Sequence, residues 1–153
     1  MATIFESPRD LIGKEGTPLE PSDWLVIEQD RIDAFADCTG DHQWIHVDPV
    51  RAKDGPFGAT IAHGYLTLSL TNLFMPQMIE VRGFTNGLNV GMDRTRFLTP
   101  VRVGSRIRGT GVILSAEEAK GGTIQCVIRI TVEIEGAEKP ALVVDAITRY
   151  FME

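Results

Sequence analysis

Ala62-His63-Gly64-Tyr65-Leu66-Thr67-Leu68-Ser69-Leu70-Thr71-Asn72-Leu73-Phe74-Met75-Pro76-Gln77-Met78 is the run on which the fold turns. It sits in a longer interval, between Asp54 and Glu80, that contains no Asp, Glu, Lys or Arg. An uncharged stretch of that kind is either a membrane span or a helix covered nearly all round. The interval opens Gly55-Pro56-Phe57-Gly58 and carries His63, Asn72, Pro76, Gln77 and several threonines. Its strongly apolar part, from about Tyr65 to Met78, is shorter than the ~20 residues a span requires. The run is therefore expected to form one long helix, from roughly Ala62 to Met78, at the centre of a soluble fold.

Beyond Glu80 the periodicity changes. Asn89–Phe97, Ser105–Leu114, Thr123–Ile134 and Ala141–Phe151 are rich in Val, Ile, Thr and Arg and alternate between apolar and polar. In the third, Ile124, Cys126, Ile128, Ile130, Val132 and Ile134 fall on one face, opposite Gln125, Arg129 and Glu133. Gly121-Gly122 and Gly136-Ala137-Glu138 read as hairpin turns. One apolar helix followed by long strands predicts an α+β fold, an antiparallel β-sheet wrapped around the central helix. Such a sheet keeps an open edge strand, so a homodimer is expected.

Upstream, Ser7-Pro8 reads as the cap and first turn of a short helix, and Trp24–Ile27 as a strand. Asp30 is expected to cap a helix that buries Ile32, Phe35 and Ala36 and stops at Gly40. Residues 41–48 read as a polar loop, and Asp48-Pro49 opens a further short helix to about Lys53.

Composition sets the outer bounds. With 153 residues, 43% apolar and 24% charged, the chain is expected to be one globular domain over residues 1–153. Its net charge of −6 argues against nucleic acid and anionic membrane as partners. Cys38 and Cys126 are far apart and outside any Cys-x-x-Cys spacing, and no secretory signal opens the chain. Cytoplasmic placement is expected, with both thiols packed as small apolar groups.

Three features bear on chemistry. In Gly40-Asp41-His42-Gln43-Trp44-Ile45-His46 a carboxylate and an imidazole five residues apart share one segment. Such a pair can converge on one small molecule such as water; equally, Asp41 can cap a turn while His46 is a satisfied structural histidine. The second is His63-Gly64 at the head of the uncharged helix. A glycine N–H at a helix start suits an oxyanion, and a glycine there also serves close packing alone. The third is a cluster of arginines, Arg94, Arg96, Arg102, Arg106 and Arg108, whose shared parity would put them on one face of uninterrupted strands, opposite Phe97, Val101, Val103 and Ile107, with Pro100 and Gly104 breaking the register. That face is either simply solvated or an anchor for a phosphorylated ligand.

Together these pieces resemble the MaoC-like dehydratases, the (R)-specific enoyl-CoA hydratase group of hot-dog folds. The residues carrying the resemblance are Gly40, Asp41, His46, Asp48-Pro49, His63-Gly64 and Pro100-Val101 with Gly104, in order along most of the chain. Gln43-Trp44 stands where the family usually has Asn-Pro, a detail similar to the nodulation protein N-like branch. The resemblance implies a hot-dog fold and a lyase that interconverts trans-2-enoyl-CoA and (R)-3-hydroxyacyl-CoA. It implies Asp41 and His46 as the catalytic acid–base pair and the Gly64 N–H as oxyanion donor. Gln43, Trp44 and His63 are expected to contact substrate, with Arg94 and Arg96 as candidates for its phosphate end. The substrate would be an acyl-CoA or acyl-carrier-protein thioester; beyond the coenzyme A it carries, no cofactor is expected.

Three other readings bear on the same residues. A metal centre on His42 and His46, flanked by Asp41 and Asp48 with His63 nearby, is disfavoured because Gly40 and the intervening Trp-Ile do not read as a helical turn. No metal is expected. A hot-dog thioesterase generally places a carboxylate on the central helix, and none lies between Ala62 and Ile79. A non-catalytic module binding acyl-CoA or acyl carrier protein is the alternative, though it needs no converging acid and base.

Overall fold

The computed structural model describes residues 1–152. The first third of the chain consists of short pieces. Strand β1 (Thr3–Phe5) leads to a single turn, Pro8–Leu11, capped as expected by the Ser7 hydroxyl, which accepts from the Arg9 N–H at 3.2 Å. Strands β2 (Pro18–Leu19) and β3 (Leu25–Val26) follow. Helix α1 (Gln29–Thr39) starts earlier than expected: Glu28 occupies the cap, and Asp30 lies in the first turn, where a carboxylate favours the free N–H groups. It ends at Gly40, whose φ of 83° only glycine adopts freely and whose N–H bonds to Ala36 O at 2.8 Å.

The segment read as an irregular loop contains one helical turn, α2 (Trp44–Val47). Helix α3 (Pro49–Lys53) then begins where Asp48-Pro49 places it, the Asp48 carboxylate accepting from the Arg51 N–H at 3.0 Å. The two thiols differ from each other. Cys126 is buried, which pushes its pKa up to about 12. Cys38, expected to be packed, is exposed, because it lies on the solvent side of α1.

The uncharged run is two helices, α4 (Gly64–Ser69) and α5 (Thr71–Met78), joined at Leu70. Helical bonds still cross the joint, from Leu70 N–H to Leu66 O at 2.9 Å and from Phe74 N–H to Leu70 O at 3.0 Å. The Ser69 and Thr71 hydroxyls both donate back to helix carbonyls, at Tyr65 and Leu68, an arrangement that bends helices. Leu66, Leu70, Phe74 and Met78 form one fully covered stripe. The expectation of cover all round fails on the other side, where Tyr65 is 71% and Leu73 43% exposed. One chain's sheet wraps a single side of the helix.

Strand β4 (Ile79–Val81) pairs in parallel with β1. The four long strands, β5 (Asn86–Phe97), β6 (Arg106–Ala119), β7 (Thr123–Ile134) and β8 (Leu142–Phe151), form an antiparallel sheet in the order β2-β6-β7-β8-β5, with β3 also on β6. The alternation read in β7 is borne out: Ile124, Cys126, Ile128, Ile130 and Val132 are all buried. Gly109 of β6 lets the sheet close on the helix, since a Cβ there would lie 2.8 Å from that of Phe74. Among the described residues no helix is long and apolar enough to cross a membrane.

Strand β5 is the sheet edge and is exposed along most of its length, Leu88, Val90 and Met92 included. Its pairing with β8 slips between Asp93 and Arg96, so that Met92 faces Ala146 while Phe97 faces Leu142. An extra residue is inserted at Arg94, which has a φ of 51°. Residues opposite one another share a face, so the slip puts Phe97 on the same side as Met92, toward the helix. The arginine face read from parity is found in part, for Arg96, Arg106 and Arg108. Arg96 lies opposite Val143, Arg94 lies in the bulge, and Arg106 and Arg108 pair with Glu135 and Glu133 beside Trp24.

Candidate active site

Helix α2 is a single turn because it has one task that sequence can state: it follows the Gly40 stop and turns His46 inward. His46 is 6% exposed, and its Nδ1–H donates to the Ile61 carbonyl at 2.7 Å. That acceptor fixes the tautomer, leaving the Nε2 lone pair free. Burial, the largest influence, holds the imidazole below its usual pKa, aided by His63 and opposed by the Ile61 bond and Asp41. His46 is thus neutral and able to accept a proton at neutral pH.

His63 precedes α4 and is 3% exposed. Its Nε2–H donates to the Asp41 main-chain carbonyl at 3.0 Å, while its buried Nδ1 has no partner. The ring stacks on His46 with centroids 3.8 Å apart and planes 22° from parallel, and Phe35 closes its other side at 4.9 Å. By gripping Asp41 O, His63 ties the loop after Gly40 to the head of α4. The Asp41 carboxylate, exposed to solvent, accepts from the Gln43 N–H at 3.3 Å. Residues separated by five and twenty-two positions along the chain are thereby assembled at one point.

The Asp41 carboxylate and one ring nitrogen each of His46 and His63 all lie within 4.8 Å of one another. Each imidazole already spends one nitrogen on a main-chain carbonyl, at Ile61 and Asp41, so one nitrogen of each remains for further chemistry. The His42–His46 pairing weighed from sequence is not assembled. Residues 44–47 do make a helical turn, but His42 lies outside it and turns to Asp37 at 2.9 Å, in solvent.

His46 opens onto a cavity of about 280 Å³ lined also by Gly64, Thr67, Phe97, Leu98 and Val101. The Gly64 N–H begins α4 and has no carbonyl partner among the described residues. A Cβ at Gly64 would lie 3.1 Å from the Phe97 ring, which therefore roofs the glycine closely. Thr67 and Phe97 were not anticipated as lining residues. Thr67 follows Gly64 by nearly one helical turn, a signal that spacing alone carries; Phe97 reaches the cavity only through the bulge.

Other expected contacts lie elsewhere. The Trp44 ring sits under the Arg51 guanidinium at 4.2 Å and packs on Gly55, so it braces the loop and does not line the cavity. Gln43 is exposed and reaches the site through its N–H to Asp41. Arg94 and Arg96 are exposed on β5, outside the cavity lining.

The sequence profile of the MaoC like domain matches residues 12–136. The chain belongs to the MaoC-like family. This MaoC-like chain is 49% identical over 146 residues to 3-hydroxyacyl-thioester dehydratase Z of Mycobacterium tuberculosis, covering 95% of this chain and 97% of that protein. It is 45% identical over 141 residues to Nodulation protein N of Rhizobium leguminosarum bv. viciae, covering 91% of this chain and 88% of that protein. The MaoC-like dehydratase from Rhodospirillum rubrum superposes on it with a TM-score of 0.75 at 20% identity, over 91% of this chain and 93% of that one. The hot-dog fold expected from the motifs is therefore the fold of this MaoC-like chain.

Proposed function

We infer that this MaoC-like protein adds water to trans-2-enoyl thioesters and removes it from (R)-3-hydroxyacyl thioesters. The observation that carries this reading is the pairing of the Asp41 carboxylate with His46, whose Ile61 bond leaves Nε2 as the free ring nitrogen. Its relation at 49% identity to a protein named 3-hydroxyacyl-thioester dehydratase supports the same reading.

In the hydration direction a water held between the Asp41 carboxylate and His46 Nε2 gives its oxygen to Cβ. The proton it releases passes to the pair, and the pair delivers a proton to Cα from the same side, so addition is syn. The carbon–carbon π bond is consumed and nothing is oxidised or reduced. The base role belongs to the pair. Negative charge gathers on the thioester oxygen as Cβ is attacked, and the free Gly64 N–H receives it. His63 and Gln43 hold Asp41 in place through its main chain and carboxylate respectively.

The substrate is an acyl-CoA or acyl-carrier-protein thioester, with Arg94 and Arg96 assigned to the phosphate end of its carrier. The unit is the chain over residues 1–153, its apolar core running from Phe5 to Tyr150. It works as a homodimer. In one chain Gly64 and Asp41 remain exposed, and the apolar residues Leu88, Val90 and Met92 stand on an unpaired edge. A second copy on that edge would dry the site. Two unbridged thiols fit the cytosol.

The test is direct. Purified protein is mixed with crotonyl-CoA and longer enoyl-CoAs, the enoyl absorbance is followed, and the product is resolved on a chiral phase. Formation of the (R)-3-hydroxyacyl product is expected; release of free thiol, or an unchanged enoyl signal with every CoA and carrier-protein thioester, contradicts it.

A further inference from the structure

The side chain of Gln29, in the first turn of α1, makes bonds that the helix does not need. Its Nε2 donates to the main-chain carbonyl of His46 at 2.7 Å and to the Asp33 carboxylate at 2.9 Å. Its Oε1 accepts from the Thr60 hydroxyl, on a residue only 1% exposed. Asp33 and His46 O are acceptors only, so the amide has one possible orientation and both of its N–H groups are used.

His46 and Thr60 are the ends of one small assembly. Ile61, next to Thr60, supplies the carbonyl that takes the His46 Nδ1–H, and the Ile61 N–H donates to Ile45 O at 3.0 Å. Two bonds thus join residues 45–46 to residue 61, and Gln29 bridges the same pair of segments from α1. We propose that Gln29 is a positioning residue for His46: its amide clamps the His46 main chain to the 60–61 segment, so that Ile61 O stays on Nδ1 and Nε2 stays the free ring nitrogen. Nothing in Gln29 touches the cavity or the reacting atoms. Its effect passes through the histidine alone. A carboxamide is required because a carboxylate would set negative charge against His46 O and Asp33, and a shorter side chain would not span both segments.

The inference rests on His46 as half of the acid–base pair, and the experiment separates the two claims. Ring-nitrogen NMR of His46 is recorded on the full-length wild type, Gln29→Met and Gln29→Glu, alongside kcat and KM for crotonyl-CoA. Met keeps the length and removes every bond; Glu keeps the acceptor for Thr60 and removes the donor. Expected for Gln29→Met are a mixed His46 tautomer, kcat lower by about a hundredfold and KM changed much less, since small misplacement of a reacting group acts on turnover. Gln29→Glu should show the same tautomer mixing with a smaller loss, which serves if the Met variant does not fold. Adding Gln29→Met to His46→Ala should change turnover no further. A single, unchanged Nδ1–H tautomer in a folded Gln29 variant overturns the proposal, whatever its kcat. If wild type turns over no thioester, the function proposed above fails, and the tautomer spectra still decide the role of Gln29.

Discussion

The rings of His46 and His63 are stacked 3.8 Å apart, yet each spends one nitrogen on a different main-chain carbonyl, Ile61 O and Asp41 O. The stack therefore works as a joint between three segments: the turn holding His46, the loop holding Asp41 and the head of the central helix. It also excludes water from His46, the first cause of that residue's lowered pKa.

A pH dependence follows. His46 is held below its ordinary value of 6.5, so the folded state resists protonation more than the unfolded chain does. Between the two values the unfolded chain binds more protons. The stability from keeping His46 neutral is thus complete above the unfolded value and is lost as pH falls toward the lower folded one. Thermal midpoints measured across this range should decline on the acid side, and His46→Gln should flatten that part of the decline. Turnover should share the same acid limb, because a protonated Nε2 cannot accept.

Crowding at Gly64 is the next test. Gly64→Ala puts a methyl group 3.1 Å from the Phe97 ring, so the ring must swing and the cavity narrow. Overpacking of this kind costs ~1–3 kcal/mol, so kcat/KM should fall about tenfold or more. Phe97→Leu in the same chain should recover part of the loss in steady-state kinetics. An additive loss would show that the two do not share the cavity.

Packing behind the site has its own prediction. Gly109→Ala places a carbon 2.8 Å from the Phe74 Cβ, where neither backbone can easily retreat. Urea unfolding should show a loss of ~1–3 kcal/mol with an unchanged slope.

The exposed edge tests the dimer. Met92→Lys sets a charge on a β5 residue that is 51% exposed in the single chain. Sedimentation should show a shift from dimer toward monomer and, because the proposed dimer covers Asp41 and Gly64, activity should fall with it. A monomeric, fully active Met92→Lys protein would contradict the dimeric site.

What could be read in the sequence was what short-range chemistry fixes. The stop at Gly40, the start at Asp48-Pro49 and the alternation of β7 each depend on a few adjacent residues, and all three are found. The Asp41, His46 and His63-Gly64 set was legible because its residue types resemble a family pattern, and the fold brings the three side chains to one place. Phe97 was legible as an apolar-face residue but not as part of the cavity. A single residue inserted at Arg94 exchanges the two faces of β5, which takes Arg94 out of register, leaves Arg96 on the outer face with Arg106 and Arg108, and delivers an aromatic ring to the cavity. Gln29 was hidden for another reason: its one local bond, to Asp33, is an ordinary contact one helical turn on, while the partners that matter, His46 and Thr60, lie 17 and 31 positions away. Trp44 was misplaced because its partners, Arg51 on α3 and Gly55 just beyond that helix, meet its ring only once the α2–α3 turn is folded.

The central claim is that Asp41 and His46 move the protons of a reversible hydration. Asp41 is exposed and bonds only weakly within its loop, so Asp41→Asn should fold with an unchanged thermal midpoint. Hydration of crotonyl-CoA by wild type and Asp41→Asn, measured side by side at equal thioester concentration, tests the claim most directly. The account predicts rapid formation of the (R)-3-hydroxy product by wild type and a loss of roughly 10²–10⁴-fold in kcat for the variant. A folded Asp41→Asn protein that hydrates crotonyl-CoA at the wild-type rate would contradict it.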